Sequence, residues 1–368
     1  MAGGDYRTSY RDDMKLVHSN WLRAWIVVFG AFLIYLPSVL QQHSFLGLEV
    51  TSAELLGMNL SRVDFALIAI LGAVGLQLLT GYTGLISLGN AAFFAVGAFA
   101  AAVLANQFRL PFPIAVAGAG VFGALVGAAV GLPSLRVRGL YLLLATMALQ
   151  FIAAYGFLRY QQQFYGAASG GVGFPDAYIG PWKLADDRAW YFLLMPLTVL
   201  CLVMTKNLLR TRIGRALVAV RDQDIAAGAV GINVGATKIK AFAASSFIVS
   251  VAGALFAFYL SNVSQDTFSL ELAIQYVAMV IIGGMGSLLG AILGTVFVVL
   301  FPYVIDAVTA LLGIAGRLAS VIFAVNYAAF GLVMILFLAF EPQGLVGLWR
   351  RMQSWFLLWP FKQRPLPR

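Results

Sequence analysis

Few residues of this 368-residue sequence have the type or spacing that covalent or metal chemistry needs. The two histidines, His18 and His43, are far apart and lack ligand partners at metal spacing, so no metal site is expected. Cys201 is the single cysteine and sits in an apolar run, which excludes an internal disulfide or a cysteine cluster. No GxxxxGK[ST] loop occurs, so nothing in the chain is built to cradle ATP phosphates. Asp64, Glu271, Asp306 and Glu341 stand singly at the ends of apolar stretches and read as interfacial charges. They make neither an acid–base couple nor the buried coupling group that proton-driven carriers keep. The chain is therefore expected to be no enzyme and to bind no cofactor of its own. Energy must come from a partner, or the protein is passive.

What remains is chemistry of the backbone. Gly81-Tyr82-Thr83-Gly84 through Ser87-Leu88-Gly89-Asn90 interrupts one apolar run, and Gly283-Gly284-Met285-Gly286-Ser287 interrupts another in the second half. Breaks at corresponding places point to a translocation pathway, because freed backbone groups at depth are tolerated only against protein or water. The candidate pathway residues are Gly84, Ser87, Gly89, Asn90, Gly283, Gly284, Gly286 and Ser287; a tight turn between two helices accounts for each break as well. Gly123, Gly127 and Gly131 recur every four residues and predict a small-residue face for close helix packing.

The elements that carry these segments follow from hydropathy. Hydrophobic residues make up 61% of the chain and charged ones 11%, a balance that selects a membrane protein. Crossing a hydrocarbon core of roughly 30 Å takes about 20 apolar residues. On that measure Leu22–Gln41 is one span, and Phe65–Phe108 makes two, turned within Thr80–Asn90. Pro113–Leu132, Leu140–Leu158, Trp190–Thr205 and Ala241–Leu260 make four more. Leu272–Ile305 divides into two at Gly283–Ser287, and Leu318–Phe340 is the tenth. The expected fold is an all-α polytopic transmembrane bundle of about ten spans with broken helices.

Of 24 Lys and Arg, 18 fall in the segments that are inside when the amino terminus is inside. The positive-inside rule then makes both termini cytoplasmic. The organisation is a cytoplasmic tail over 1–21, a permease region over 22–340 and a basic cytoplasmic tail over 341–368. The tail at 1–20 is mixed in charge and does not read as a signal peptide. The net charge of +9 is scattered over short loops, so nucleic acid is not an expected partner; membrane lipid is. Arg159–Arg188 forms an outer loop and Lys206–Lys240 an inner one with seven basic residues.

Within the inner loop Asp222 is the expected N-cap of a short helix over Gln223–Val230, and Gly231 its left-handed terminator. Ile225, Ala226, Ala227 and Val230 would give it a small apolar surface suited to a groove in another protein. Here the chain resembles the LivM-type permeases of branched-chain amino acid ABC importers. The resemblance is carried by GYTGLISLGNAAFFAVGAFAA (81–101), GLPSLRVRGLYLLLATMAL (131–149), GRALVAVRDQDIAAGAVGINV (214–234), GGMGSLLGAILG (283–294) and FEPQGLVGLW (340–349).

That resemblance implies an ABC importer permease fold in a bacterial inner membrane, paired with a second, LivH-like permease. It also implies two cytoplasmic ATP-binding cassette subunits, which use ATP and Mg, and a periplasmic solute-binding protein. The ATPase-coupling residues it implies are Gly214, Arg215, Arg221, Asp222, Asp224, Ala226, Ala227, Gly228 and Gly231. Gly228 stands where relatives often carry Glu, and Asn90 replaces a His usual after Ser-Leu-Gly. Branched-chain amino acids are the expected cargo; urea, aromatic acids or other small amides are alternatives within the class, and a secondary carrier or channel lies outside it.

Overall fold

The computed structural model describes residues 30, 33–38, 40, 44–45, 48–49, 59–135, 139–166, 170–311, 322–341 and 343–358. The chain divides into a large unit over 61–348 and a small one made of 1–60 with 349–368. In the small unit, β1 (Ser44–Phe45) and β2 (Leu48–Glu49) pair antiparallel. Most of the expected first span Leu22–Gln41, the tail at 1–21 and both histidines lie outside the described residues.

In the large unit the helices follow the apolar runs, because a backbone in lipid must satisfy its own hydrogen bonds. In order they are α1 (Leu60–Leu76), α2 (Asn90–Ala102), α3 (Phe112–Gly131), α4 (Leu140–Tyr165) and α5 (Asp187–Arg210). Two short helices follow, α6 (Arg212–Asp222) and α7 (Asp224–Ala229). Then come α8 (Val234–Leu260), α9 (Leu270–Gly283), α10 (Leu288–Leu311) and α11 (Ile322–Phe340); α12 (Gly344–Leu358) crosses into the small unit. Among the described residues seven helices are long and apolar enough to cross a membrane, and Leu270–Gly283 and Ala328–Phe337 are shorter apolar ones. These nine correspond to the nine spans expected beyond residue 60.

Helix α8 is the axis of the packing, against both α2 and α3, which also pack on each other. The glycine face of α3 meets it as the four-residue spacing predicts. A Cβ on Gly131 would lie 3.2 Å from the Ile239 backbone, while at Gly123 and Gly127 it would collide with the hydroxyls of Ser250 and Ser246. Close approach lets α8 serines bond to neighbouring backbones: Ser250 Oγ donates to Phe93 O (2.8 Å) and Ser245 Oγ to Gly75 O (2.7 Å).

Helix ends differ from the hydropathy reading. Helix α4 runs on to Tyr165, α5 extends from Asp187 to Arg210, and α8 begins at Val234, so both large loops are shorter than 159–188 and 206–240. Hydropathy marks where lipid ends, and a helix can continue beyond it. The 159–188 region holds β3 (Val172–Gly173), β4 (Tyr178–Ile179) and β5 (Trp182–Lys183). β4 and β5 form a hairpin, and β3 pairs with β6 (Asn262–Val263).

After β6 a 3-10 turn, Gln265–Phe268, tucks Phe268 among Phe94, Phe99 and Phe256, and Gln150 Nε2 donates to Phe268 O (2.6 Å). Helix α9, with 14 residues, spans about 21 Å, short of a full crossing.

Asp64 departs from its interfacial reading. It lies within α1, fully buried, and neither carboxylate oxygen has a hydrogen-bond partner. The span begins a turn earlier than the charge-free run suggests. Asp306 lies in α10, its side chain outside the described residues.

Candidate coupling and pathway site

Helix α6 is amphipathic. Gly214, Leu217 and Val220 recur along one face and are buried, while Arg215 points away and is exposed. A Cβ on Gly214 would strike the backbone of Leu209, so the glycine lets α6 fold back tightly from the end of α5.

Asp222 is not the N-cap expected of it. It is the last residue of α6, and Gln223 is the extended residue (φ −162°) between α6 and α7. The expected helix over 223–230 is present as α7, one residue shorter at each end, and Asp222 instead closes α6, which starts eleven residues before Gln223.

Gly231 ends α7 as anticipated. Its φ of +90° lies in the left-handed region, Ile232 N donates to Ala227 O and Gly231 N to Gly228 O, both at 3.0 Å, the bonding of a Schellman cap.

Helix α7 is held out from the bundle on two ties. Asp224 Oδ2 lies 3.6 Å from Nζ of Lys238, a largely buried lysine in α8, and Ala227 is buried. Ala227 is thus an inward anchor and no part of the apolar surface expected to include it. Ala226 and Gly228 are exposed, Ile225 is 71% exposed and Val230 84%. These two branched apolar side chains crown the short helix.

The two glycine breaks meet at this end of the bundle. Helix α1 loosens into a π-turn, Gln77–Gly81, and Gln77 turns inward with no exposed surface. Its Nε2 donates to Gly284 O (3.1 Å) and Ser287 O (3.0 Å), over 200 residues away. Arg221, at the end of α6, donates from Nη1 to Gly81 O at 2.6 Å.

A Cβ on Gly286 (φ +80°) would stand 2.5 Å from that Nη1, and one on Gly84 (φ +72°) 3.2 Å from Arg221 Cγ. Tyr82, just beyond the α1 span, has its phenol pushed up by burial, against the opposing effects of the Leu288 backbone and the Arg221 charge. Gly283 packs on the backbone of Gly290, and a Cβ on Gly344 would lie 2.5 Å from Ile282 O. The FEPQGLVGLW segment therefore closes over the same break.

The other break residues point elsewhere. Ser87 is buried and accepts from Gly89 N (3.1 Å), Leu88 N donates to Thr146 Oγ1 (3.1 Å), and Asn90 is buried at the start of α2 with its Nδ2 unpartnered. This half of the first break faces α4, away from the second break. Sequence reasoning missed Gln77 and Thr146; the signal for Gln77 was an amide inside an otherwise apolar run.

Apart from the breaks, a cavity of about 410 Å³ lies among α1, α2, α8, α9, α10 and α11, walled by Phe65, Phe94, Phe256 and Tyr276 with Gln275 as a polar edge. Among the described residues no group of three or more His, Cys, Asp or Glu could hold a metal.

Apolar crossing helices, two glycine breaks brought together and a short helix held beyond them define a multi-pass membrane transport subunit. Residues 58–340 match the family described as branched-chain amino acid transport system / permease component. The chain belongs to that family, whose members are transport components and not enzymes.

It is 28% identical over 314 residues to the high-affinity branched-chain amino acid transport system permease protein LivM of Escherichia coli (strain K12). That alignment covers 78% of this chain and 70% of the relative. The LivM protein of Salmonella typhimurium is 29% identical with the same coverage. No solved structure matches this chain.

Proposed function

We propose that the chain is the translocating permease of an ATP-driven importer for branched-chain amino acids. It pairs with a second, LivH-like permease, receives solute from a periplasmic binding protein and is driven by two ATP-binding cassette subunits that use ATP and Mg. Helix α7 is the contact with an ATPase. The observation that carries this is the exposure of Ile225 and Val230 on a helix braced from behind by Ala227 and Lys238. Apolar side chains held so far into solvent by a rigid support suit a partner's groove.

With the 206–240 loop in the cytoplasm, the basic residues obey the positive-inside rule, both termini are cytoplasmic and the β4–β5 hairpin faces the periplasm. The bilayer is the inner membrane. The aromatic cavity offers an apolar wall for a branched side chain, and its volume is within the range of small-ligand sites.

The experiment is the double variant Ile225→Asp/Val230→Asp in the co-expressed importer. Membrane insertion should persist while ATPase subunits no longer co-purify and solute uptake stops. Unchanged co-purification and uptake would remove the assignment. Calorimetry on a solute-binding protein that stimulates the reconstituted importer tests the cargo: tight binding of leucine, isoleucine or valine is expected, and binding of urea or an aromatic acid in their place would replace it.

A further inference from the structure

The inner loop reaches the bilayer segments through one side chain. Arg221 is the penultimate residue of α6, two residues before the extended Gln223 from which α7 hangs. Its guanidinium lies at the junction of two breaks far apart in sequence, bonded to Gly81 O in the first at 2.6 Å and closely packed on Gly286 in the second. Gln77 joins the same segments from inside. Gly84 and Gly286, both with positive φ, leave the room the side chain occupies.

We propose that Arg221 is a latch. It holds the break at 81–84 against the break at 284–287 and so keeps the inner end of the pathway shut. Displacement of α7 about Gln223 draws the guanidinium out and frees the two breaks to part. This deepens the reading of α7 as the ATPase contact and rests on it for the source of the pull.

A charge-assisted bond to a carbonyl shifts a two-state equilibrium by roughly ten- to a hundredfold. The latch is thus strong enough to bias the closed state and weak enough for bound ATPases to open. Lysine cannot reproduce it, because it lacks the planar fork whose Nη1 bonds Gly81 O in one break and stands against Gly286 in the other.

The test uses the whole importer in proteoliposomes, with Cys201→Ser as background and Ser287→Cys as a reporter labelled by a membrane-impermeant maleimide from the inner side. Without ATP, Arg221→Ala should raise the labelling rate at least about tenfold, with Arg221→Lys in between. ATPase subunits should still co-purify, and hydrolysis should lose its dependence on loaded binding protein. Gly286→Ala, whose methyl would displace the guanidinium, should act in the same direction while leaving Arg221 in place.

Unchanged labelling in both Arg221→Ala and Gly286→Ala would overturn the latch. Loss of the ATPase from Arg221→Ala would also overturn it, by making Arg221 part of the docking surface. The labelling arm needs no ATPase, so it still reports on the latch if Ile225→Asp/Val230→Asp shows the α7 reading to be wrong.

Discussion

Replacing Gln77 with leucine isolates the contribution of the inner tie between the two breaks. The side chains are close in volume, so the change removes polarity while nearly preserving packing. Two hydrogen bonds are lost, to Gly284 O and Ser287 O, each worth about 1 kcal/mol net. Ser287 O keeps a bond from Ala291 N, whereas among the described residues the buried Gly284 carbonyl has no other such bond, and stranding it costs about 1–3 kcal/mol more. Against this, Gln77 Oε1 is itself buried without a partner, and removing it returns about 1 kcal/mol.

The expected net loss is about 2–4 kcal/mol, roughly a 30- to 1000-fold change in the unfolding equilibrium. Reversible unfolding in bicelles, followed by steric trapping, measures it directly. Gln275→Leu is the control, since that amide meets Glu271 at an exposed position and should cost less than about 0.5 kcal/mol. A Gln77→Leu loss no larger than the control's would refute the view that this amide fastens the breaks.

Two further outcomes follow from the packing. Gly127→Leu drives a side chain into Ser246 and the Phe242 carbonyl where α3 crosses α8, and should abolish recovery of folded protein from detergent; recovery at the parent level on size-exclusion chromatography would contradict the close contact. Asp64→Asn should leave stability unchanged or raise it by about 1 kcal/mol, because the carboxylate is buried without a donor; a loss above about 2 kcal/mol in the same unfolding assay would show that the native carboxylate has an essential ionic partner.

The course of the chain was legible wherever lipid dictates composition. Charge-free runs such as Phe65–Phe108 can satisfy their backbone only as helices, and the polar glycine segments inside them had to be turns. The four-residue glycine spacing of α3 was legible for the same reason, since it places small surfaces on one helix face. Helix ends were harder to read: Arg159, Asp187 and Arg210 are helical although charged, because water tolerates a helix as well as a loop. The one short helix expected in the inner loop, over Gln223–Val230, is misphased by one residue at its start, and α6 before it is not anticipated. Alanine and valine favour neither α6 nor α7, and the boundary at Gln223 is set by Gly214 and Leu217 packing onto the bundle. Asp64 was read from its place at a span end, and its burial depends on α5 and α8, which no local pattern reveals.

The glycine motifs gain their meaning from where the fold puts them. Gly81, Gly84, Gly284, Gly286 and Gly344 belong to three separate stretches of sequence, and each alone is weak as a signal. In the folded chain they converge on one end, where backbones approach too closely for Cβ atoms and one guanidinium fills the remaining gap. An inner loop that merely touched an ATPase would need no such arrangement; exposed apolar side chains on α7 would suffice. The extra element is Arg221, which makes the lever short: only Asp222 and the extended Gln223 separate the exposed helix from the residue that touches both breaks. A small rotation of α7 therefore acts on the breaks directly, without having to travel along the packed length of α8. Such economy suits a subunit that receives its work from outside: on the proposed reading, force entering at α7 reaches the inner closure before the bundle's packing can absorb it.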